Sequence, residues 1–338
     1  MKKIIKIFLL LFAISYWPYA TAAQFNLPSI GNIKPTISLT ADSLTPLPNS
    51  SITTAANLSG LVAAGNSNYT WFLNGIRQTE ISGLNKNSFT FKTASISTIY
   101  RVNVSVTTPS GEILTDTINF TVSDVDLTWI ANSKVPTTYK AKSMPTQNSF
   151  VTISAMPVVY RPGTRNQFSS NNLIYNWMPT DKIDSSKSGR NKSLYAFRVS
   201  NFSGNNQFVR LEIKTEDGAA FLSKDVLIPI VKPQIFLHFS DFLTGLPYGA
   251  ALKNLITRPE NFNFVAQTYF FNNLEKGLKW QWLINNVEVN NRDENPWLAT
   301  LNLKNKTSGQ FSTQIKVTAQ NPNNELEIAE STTNLEIK

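Results

Sequence analysis

Apolar and polar residues alternate with a period of two through much of this chain. Val102, Val104 and Val106 frame Asn103 and Ser105; Val209, Leu211 and Ile213 frame Arg210 and Glu212; Thr313, Ile315 and Val317 make a third such run. Alternation of this kind sends successive side chains to opposite faces of an extended strand, one toward a core and one toward water. Each run is followed by turn residues, at Gly111, at Gly218 or at the Asn323-Asn324 pair. A closing alternation comes next: Ile118-x-Phe120-x-Val122, Val226-x-Ile228-x-Ile230 and Leu335-x-Ile337. Opening strands are predicted over Thr36 to Ala41, Asp126 to Ala131 and Gln234 to Phe239. Turn formers such as Asn74-Gly75, Pro109-Ser110-Gly111 and Asp217-Gly218 separate the strands and supply the positive φ that tight hairpins need. No apolar spacing of helical length follows residue 23.

The runs recur at a fixed interval. An aromatic-x-Trp triplet stands at Tyr69-Thr70-Trp71, Tyr175-Asn176-Trp177 and Trp280-Gln281-Trp282, with the closing Trp of each 106 and then 105 residues apart. Ser82-Gly83-Leu84-Asn85-Lys86 returns as Ser188-Gly189-Arg190-Asn191-Lys192, and six residues after each Gly comes an aromatic, Phe89 or Tyr195. The landmarks are collinear, so the chain is three copies of one unit. Several short half-buried strands in about a hundred residues must hide one face of each sheet, which a β-sandwich does. Trp71, Trp177 and Trp282 are then expected as core residues of their own units.

Tyr69-Thr70-Trp71-Phe72-Leu73-Asn74-Gly75 and Tyr100-Arg101-Val102-Asn103-Val104-Ser105-Val106 resemble bacterial immunoglobulin-like or PKD-like modules strung in tandem on exported proteins. The chain departs from PKD modules in lacking their acidic Asp-Gly turn after the Trp strand. The resemblance implies an all-β chain of three tandem immunoglobulin-like (PKD-like) β-sandwiches. These are expected over residues 35–124, 125–233 and 234–338, with Pro35 and Pro233 at two of the openings. The joints lack Gly/Ser-rich linkers, so a semi-rigid rod is expected.

Residues 1–23 read as a secretory signal peptide: Lys2, Lys3 and Lys6, an apolar run from Ile7 to Ile14, and Ala20-Thr21-Ala22-Ala23 before Gln24. The expected location is therefore periplasmic, cell-surface or extracellular, with membrane contact only through an uncleaved signal segment. The chain has no Cys and one His. That removes disulfides, thiolate metal sites and a Cys nucleophile, and leaves His238, on an opening strand, as the one imidazole. Asp181 with Asp184, and Asp293 with Glu294, are paired acids in turn-like loops, where acids are ordinarily solvated. No glycine-rich phosphate loop is present, so no nucleotide is expected. A non-enzymatic role follows.

Two places invite binding. Asp124 and Asp126 lie at the first unit boundary, where alternate carboxylates could meet one calcium ion. The second place is the middle unit, with 14 Lys and Arg against 7 Asp and Glu, whereas the flanking units are close to neutral. Lys182, Lys187, Arg190, Lys192 and Arg198 crowd one stretch of it, and Lys187, Arg190 and Lys192 are the expected contacts to an anionic surface polymer or envelope protein. Few aromatics interleave with them, so single-stranded nucleic acid is not expected. Aromatic residues instead concentrate in the third unit, at Tyr269, Phe270, Phe271, Trp280 and Trp297, the better place for a sugar surface. The sequence thus reads as a structural or adhesive rod of the cell exterior touching an anionic surface, the alternative being a carbohydrate- or polyanion-binding module of an envelope complex.

Overall fold

The computed structural model describes residues 34–60, 66–241, 243–257, 261–289, 294–302 and 311–337; the signal segment and Asp293 lie outside them. Among the described residues the chain is all-β, with two single-turn 3-10 segments as its only helical elements. Unit one contains β1 (Thr36–Ala41), β2 (Ser51–Ser59), β3 (Asn68–Leu73), β4 (Ile76–Arg77), β5 (Gly83–Leu84), β6 (Ser88–Lys92), β7 (Ile99–Thr107) and β8 (Ile113–Thr121). Unit two contains β9 (Asp124–Ala131), β10 (Phe150–Val158), β11 (Ile174–Met178), β12 (Gly189–Arg190), β13 (Leu194–Arg198), β14 (Asn206–Lys214) and β15 (Phe221–Pro229). Unit three contains β16 (Gln234–Ser240), β17 (Pro247–Tyr248), β18 (Asn254–Thr257), β19 (Asn261–Tyr269), β20 (Lys279–Ile284), β21 (Val287–Val289), β22 (Leu298–Asn302), β23 (Phe311–Asn321) and β24 (Asn324–Ile337).

Each unit is a two-sheet sandwich. In unit one the order β1-β2-β6 faces β4-β3-β7-β8; in unit two β13-β10-β9 faces β12-β11-β14-β15; in unit three β17-β16-β19-β22 faces β18-β24-β23-β20-β21. The chain thus leaves the first sheet after two strands and returns to it later, the Greek-key connection of immunoglobulin-like domains. The pairings are antiparallel except β18 on β24. The alternating runs fill three separate cores: Val102, Val104 and Val106 in the first, Val209, Leu211 and Ile213 in the second, and Ile315 and Val317 in the third are all buried.

The repeated tryptophans are the largest side chains of these cores, each at most 1% exposed. Trp71 lies opposite Val104, Trp177 opposite Leu211 and Trp282 opposite Val317, the same site of the same strand pair three times. A buried indole N–H must find an acceptor. Lys86 O accepts it at 2.8 Å in unit one, Lys192 O at 2.7 Å in unit two and Pro296 O at 2.9 Å in unit three. This explains the recurring Ser-Gly-x-Asn-Lys segment. Ser82 and Ser188 accept the Trp71 and Trp177 backbone N–H at 3.0 and 2.9 Å. Gly83 and Gly189 then adopt φ of +141° and +133°, a region open to glycine almost alone. The turn that results carries the Lys carbonyl to the indole. Phe89 packs against Trp71 at 5.8 Å between ring centroids, and Tyr195 stacks on Trp177 at 5.3 Å.

Candidate functional site

Buried polar side chains lie at both joints between units. At the first, Val122 and Ser123 alone separate β8 from β9. The Ser43 hydroxyl donates to Phe221 O at 2.8 Å; the Thr45 hydroxyl donates to the same carbonyl at 3.0 Å and accepts from Phe221 N at 3.1 Å. Thr121 donates to Thr164 O at 3.1 Å, and Tyr160 N donates to Ser123 Oγ at 3.0 Å. Thr45, Thr121 and Ser123 are fully buried, and these bonds across the joint satisfy their hydroxyls. Leu47 of unit one packs on the core of unit two. Gly163, with φ +73°, brings its backbone against β8, where a Cβ would lie 2.9 Å from Asn119 Cβ.

The second joint has a different chemistry. Lys134 of unit two and Phe271 of unit three form an antiparallel bridge: Lys134 N donates to Phe271 O at 2.6 Å and Phe270 N to Lys134 O at 2.7 Å. Phe270 takes φ 65°, a region that a bulky residue enters only against strain. That turn presents successive backbone groups to the joint, because Asn272 N then donates to Glu327 Oε1 at 2.6 Å. Glu327, 1% exposed, also accepts from the Thr146 hydroxyl of unit two at 3.1 Å and from the Asn321 amide. Burial pushes its carboxyl above the usual glutamate range, against the opposing pull of those hydrogen bonds. Asn324 donates to Gln147 O at 3.0 Å, and Tyr139 meets Tyr269 and Phe270 edge-on at 5.6 and 5.8 Å.

Most residues singled out by sequence fall elsewhere, although Asp124 borders the first joint and Tyr269 and Phe270 stand at the second. Asp124 and Asp126 share one side of β9, with Asp126 exposed, but Asp124 Oδ1 takes the Lys224 ammonium at 2.8 Å and the Val125 N–H at 2.7 Å. No group of three or more His, Cys, Asp or Glu side chains able to hold a metal occurs among the described residues. Lys187 and Lys192 are exposed, while Arg190 pairs with Glu216 and Arg198 lies over the Phe150 ring at 4.5 Å. The backbone of Lys192 belongs to the Trp177 clamp, so that position of the basic motif is also architectural. Asp184 caps its own loop: Ser186 N and Oγ donate to it, and these bonds, the hydroxyl first, hold its carboxyl below the usual range. A general acid needs the opposite shift. Tyr195 also donates to Asp184, at 3.3 Å, and burial raises that phenol. His238 approaches Gly249 O at 3.4 Å. Of the third-unit aromatics, Tyr269 and Phe270 serve the joint, Phe271 the core, and Trp280 gives its N–H to Glu275 O at 2.9 Å. Trp297 lines a surface cleft.

No family model matches the chain, and no curated protein matches it. Among solved structures, the three N-terminal domains of the Highly Immunogenic Outer Capsid protein (Hoc) of bacteriophage RB49 are similar. They are 12% identical over 90% of this chain and 100% of that chain, with a TM-score of 0.28. The Bacteroides ovatus mixed-linkage glucan utilization locus protein SGBP-B, solved with a mixed-linkage heptasaccharide, is 11% identical over 89% of this chain and 70% of that chain, with a TM-score of 0.21. At such scores, function rests on this chain's own residues.

Proposed function

We propose that the mature protein is a non-catalytic spacer of the cell exterior, a rod of three sandwiches whose middle unit touches an anionic surface. The observation that carries this reading is the construction of the joints. Domains in one chain move relative to each other unless their interface is made to prevent it. Here the connections are two and four residues long, Val122 to Ser123 and Ile230 to Pro233, and both are bridged by hydrogen bonds from one unit to the next. A chain that only needed three binding modules would be served by loose linkers; built joints hold the ends at a set separation. The basic excess of the middle unit adds attraction to anionic polymer, through Lys187 and Lys192 in particular, because Arg190 is already paired. Cell fractionation with N-terminal mass spectrometry tests the placement. The protein is expected outside the cytoplasm and beginning at Gln24; a cytoplasmic pool that keeps Met1 contradicts it.

A further inference from the structure

Unit three carries a cleft of about 360 Å³ between the loop that follows β16 and strands β19 and β22. That volume is within the range of small-ligand sites. Asp241, Gly245, Asn263, Trp297 and Thr300 line it. Trp297 is half-buried, and its carbonyl accepts from Ala266 N at 2.9 Å, which ties the backbone at Trp297 to β19.

The walls are built before any ligand arrives. Asp241 Oδ1 accepts from Leu243 N at 3.0 Å, Thr244 N at 2.8 Å and the Thr244 hydroxyl at 2.9 Å. Gly245, at φ +66°, lies so near β22 that a Cβ would be 3.3 Å from Leu298 Cδ1. On the other side the Thr300 hydroxyl donates to Asn263 Oδ1 at 2.8 Å. A preorganised site loses less entropy on binding than a loose one.

The lining also selects a chemistry. No Lys or Arg is among the described lining residues, and hydrogen bonds from Thr244, the backbone one first, hold the Asp241 carboxyl below the usual range and therefore ionised near neutrality. Among the described residues, a phosphate, sulfate or uronate would meet the Asp241 carboxylate with no Lys or Arg in the lining. Hydroxyl, amide and carboxylate groups beside the half-buried Trp297 suit a ligand with an apolar C–H face and a rim of hydroxyls.

We infer that this cleft binds neutral carbohydrate, with Trp297 as the stacking platform and Asn263, Thr300 and Asp241 as hydroxyl partners. The site is separate from the anionic contact of unit two, and it stands whether or not the joints are rigid.

The test is calorimetric titration of the full mature chain with neutral gluco-, manno-, galacto- and N-acetylglucosamine oligosaccharides, with polygalacturonate and heparin as anionic controls. At least one neutral series should bind saturably. Trp297→Ala should weaken it about tenfold or more, as loss of a central aromatic anchor does. Trp280→Ala, which removes an indole held by Glu275 outside the cleft, should not. Asn263→Ala combined with Thr300→Ala removes the polar rim and leaves the indole, so a loss in this variant too, with the unit-three unfolding midpoint unchanged, keeps the result independent of folding. Failure of every neutral series at millimolar concentration overturns the inference. So does unchanged binding in both variants, or anionic binding that vanishes with Trp297.

Discussion

Gly163→Ala probes the first joint with a single methyl group. Two costs add. At φ +73° an L-residue pays roughly 1 kcal/mol for the left-handed conformation. The new Cβ would also sit 2.9 Å from Asn119 Cβ and 3.3 Å from Asn119 Cγ. The nearer atom is the root of a side chain on β8, paired across the sheet with Arg101, so it cannot swing away. Something must move, and overpacking of this kind costs about 1–3 kcal/mol. The total is about 2–4 kcal/mol, and only the steric part crosses between units. A double-mutant cycle separates the two. Asn119→Gly removes the clashing Cβ, so Gly163→Ala in that background should cost roughly 1 kcal/mol, leaving a coupling of about 1–3 kcal/mol. The assay is urea unfolding of the four proteins followed by tryptophan fluorescence. A coupling below about 0.5 kcal/mol, within the scatter of independent sites, would refute a close contact between the loop and β8.

Glu327→Ala should cost about 3 kcal/mol or more, because it orphans the Asn272 N–H and the Asn321 amide at a buried site. Glu327→Gln keeps most of these bonds and removes the charge. Since the folded carboxyl is held above its ordinary value, the folded state binds a proton that the unfolded chain has released. Wild-type stability should therefore fall as pH rises from the ordinary glutamate range through the raised one, and the Gln variant should lack this slope in paired melting curves across that window. Trp177→Ala should cost about 3–5 kcal/mol in unit two while units one and three keep their own transitions in calorimetry. Lys187→Glu with Lys192→Glu should abolish low-salt retention on anionic wall polymer without shifting the melting temperature, whereas wild-type retention should fade with added salt; equal retention of the variant would make the loop merely solvated.

What the sequence showed and hid divides by physical cause. Periodicity and spacing exposed the strands, the tryptophans and the Ser-Gly-x-Asn-Lys turn, because a core repeats its demands in every unit. The joints are contacts particular to each pair of units, so Gly163 and Thr45 leave no trace in the repeat. Glu327 even stands beside Leu326 and Ile328, which invites the opposite assignment, yet those two are 60% and 49% exposed. A signal existed: carrying the alternation back from buried Leu335 through Thr333 turns position 327 inward. Asn49-Ser50 and Asn148-Ser149 form another missed repeat, with φ of 55° and 67° at the asparagines and each Ser hydroxyl bonded three residues back, to Leu47 O and Thr146 O. The charge count pointed to the middle unit correctly as arithmetic but could not show that Arg190, Arg210 and Lys224 already hold acids. The aromatic count in unit three pooled joint, core and cleft residues, and only their placement separates Trp297 from the rest.

Rigidity between the outer units is measured most directly by pulsed electron paramagnetic resonance on spin labels at Lys92→Cys and Glu336→Cys. Both positions are exposed, and the chain has no native Cys to mislabel. Locked joints predict one narrow distance distribution, broadened by Gly163→Ala or Glu327→Ala. A broad distribution in the wild type, unchanged by either substitution, would show three sandwiches on loose tethers and contradict a built rod.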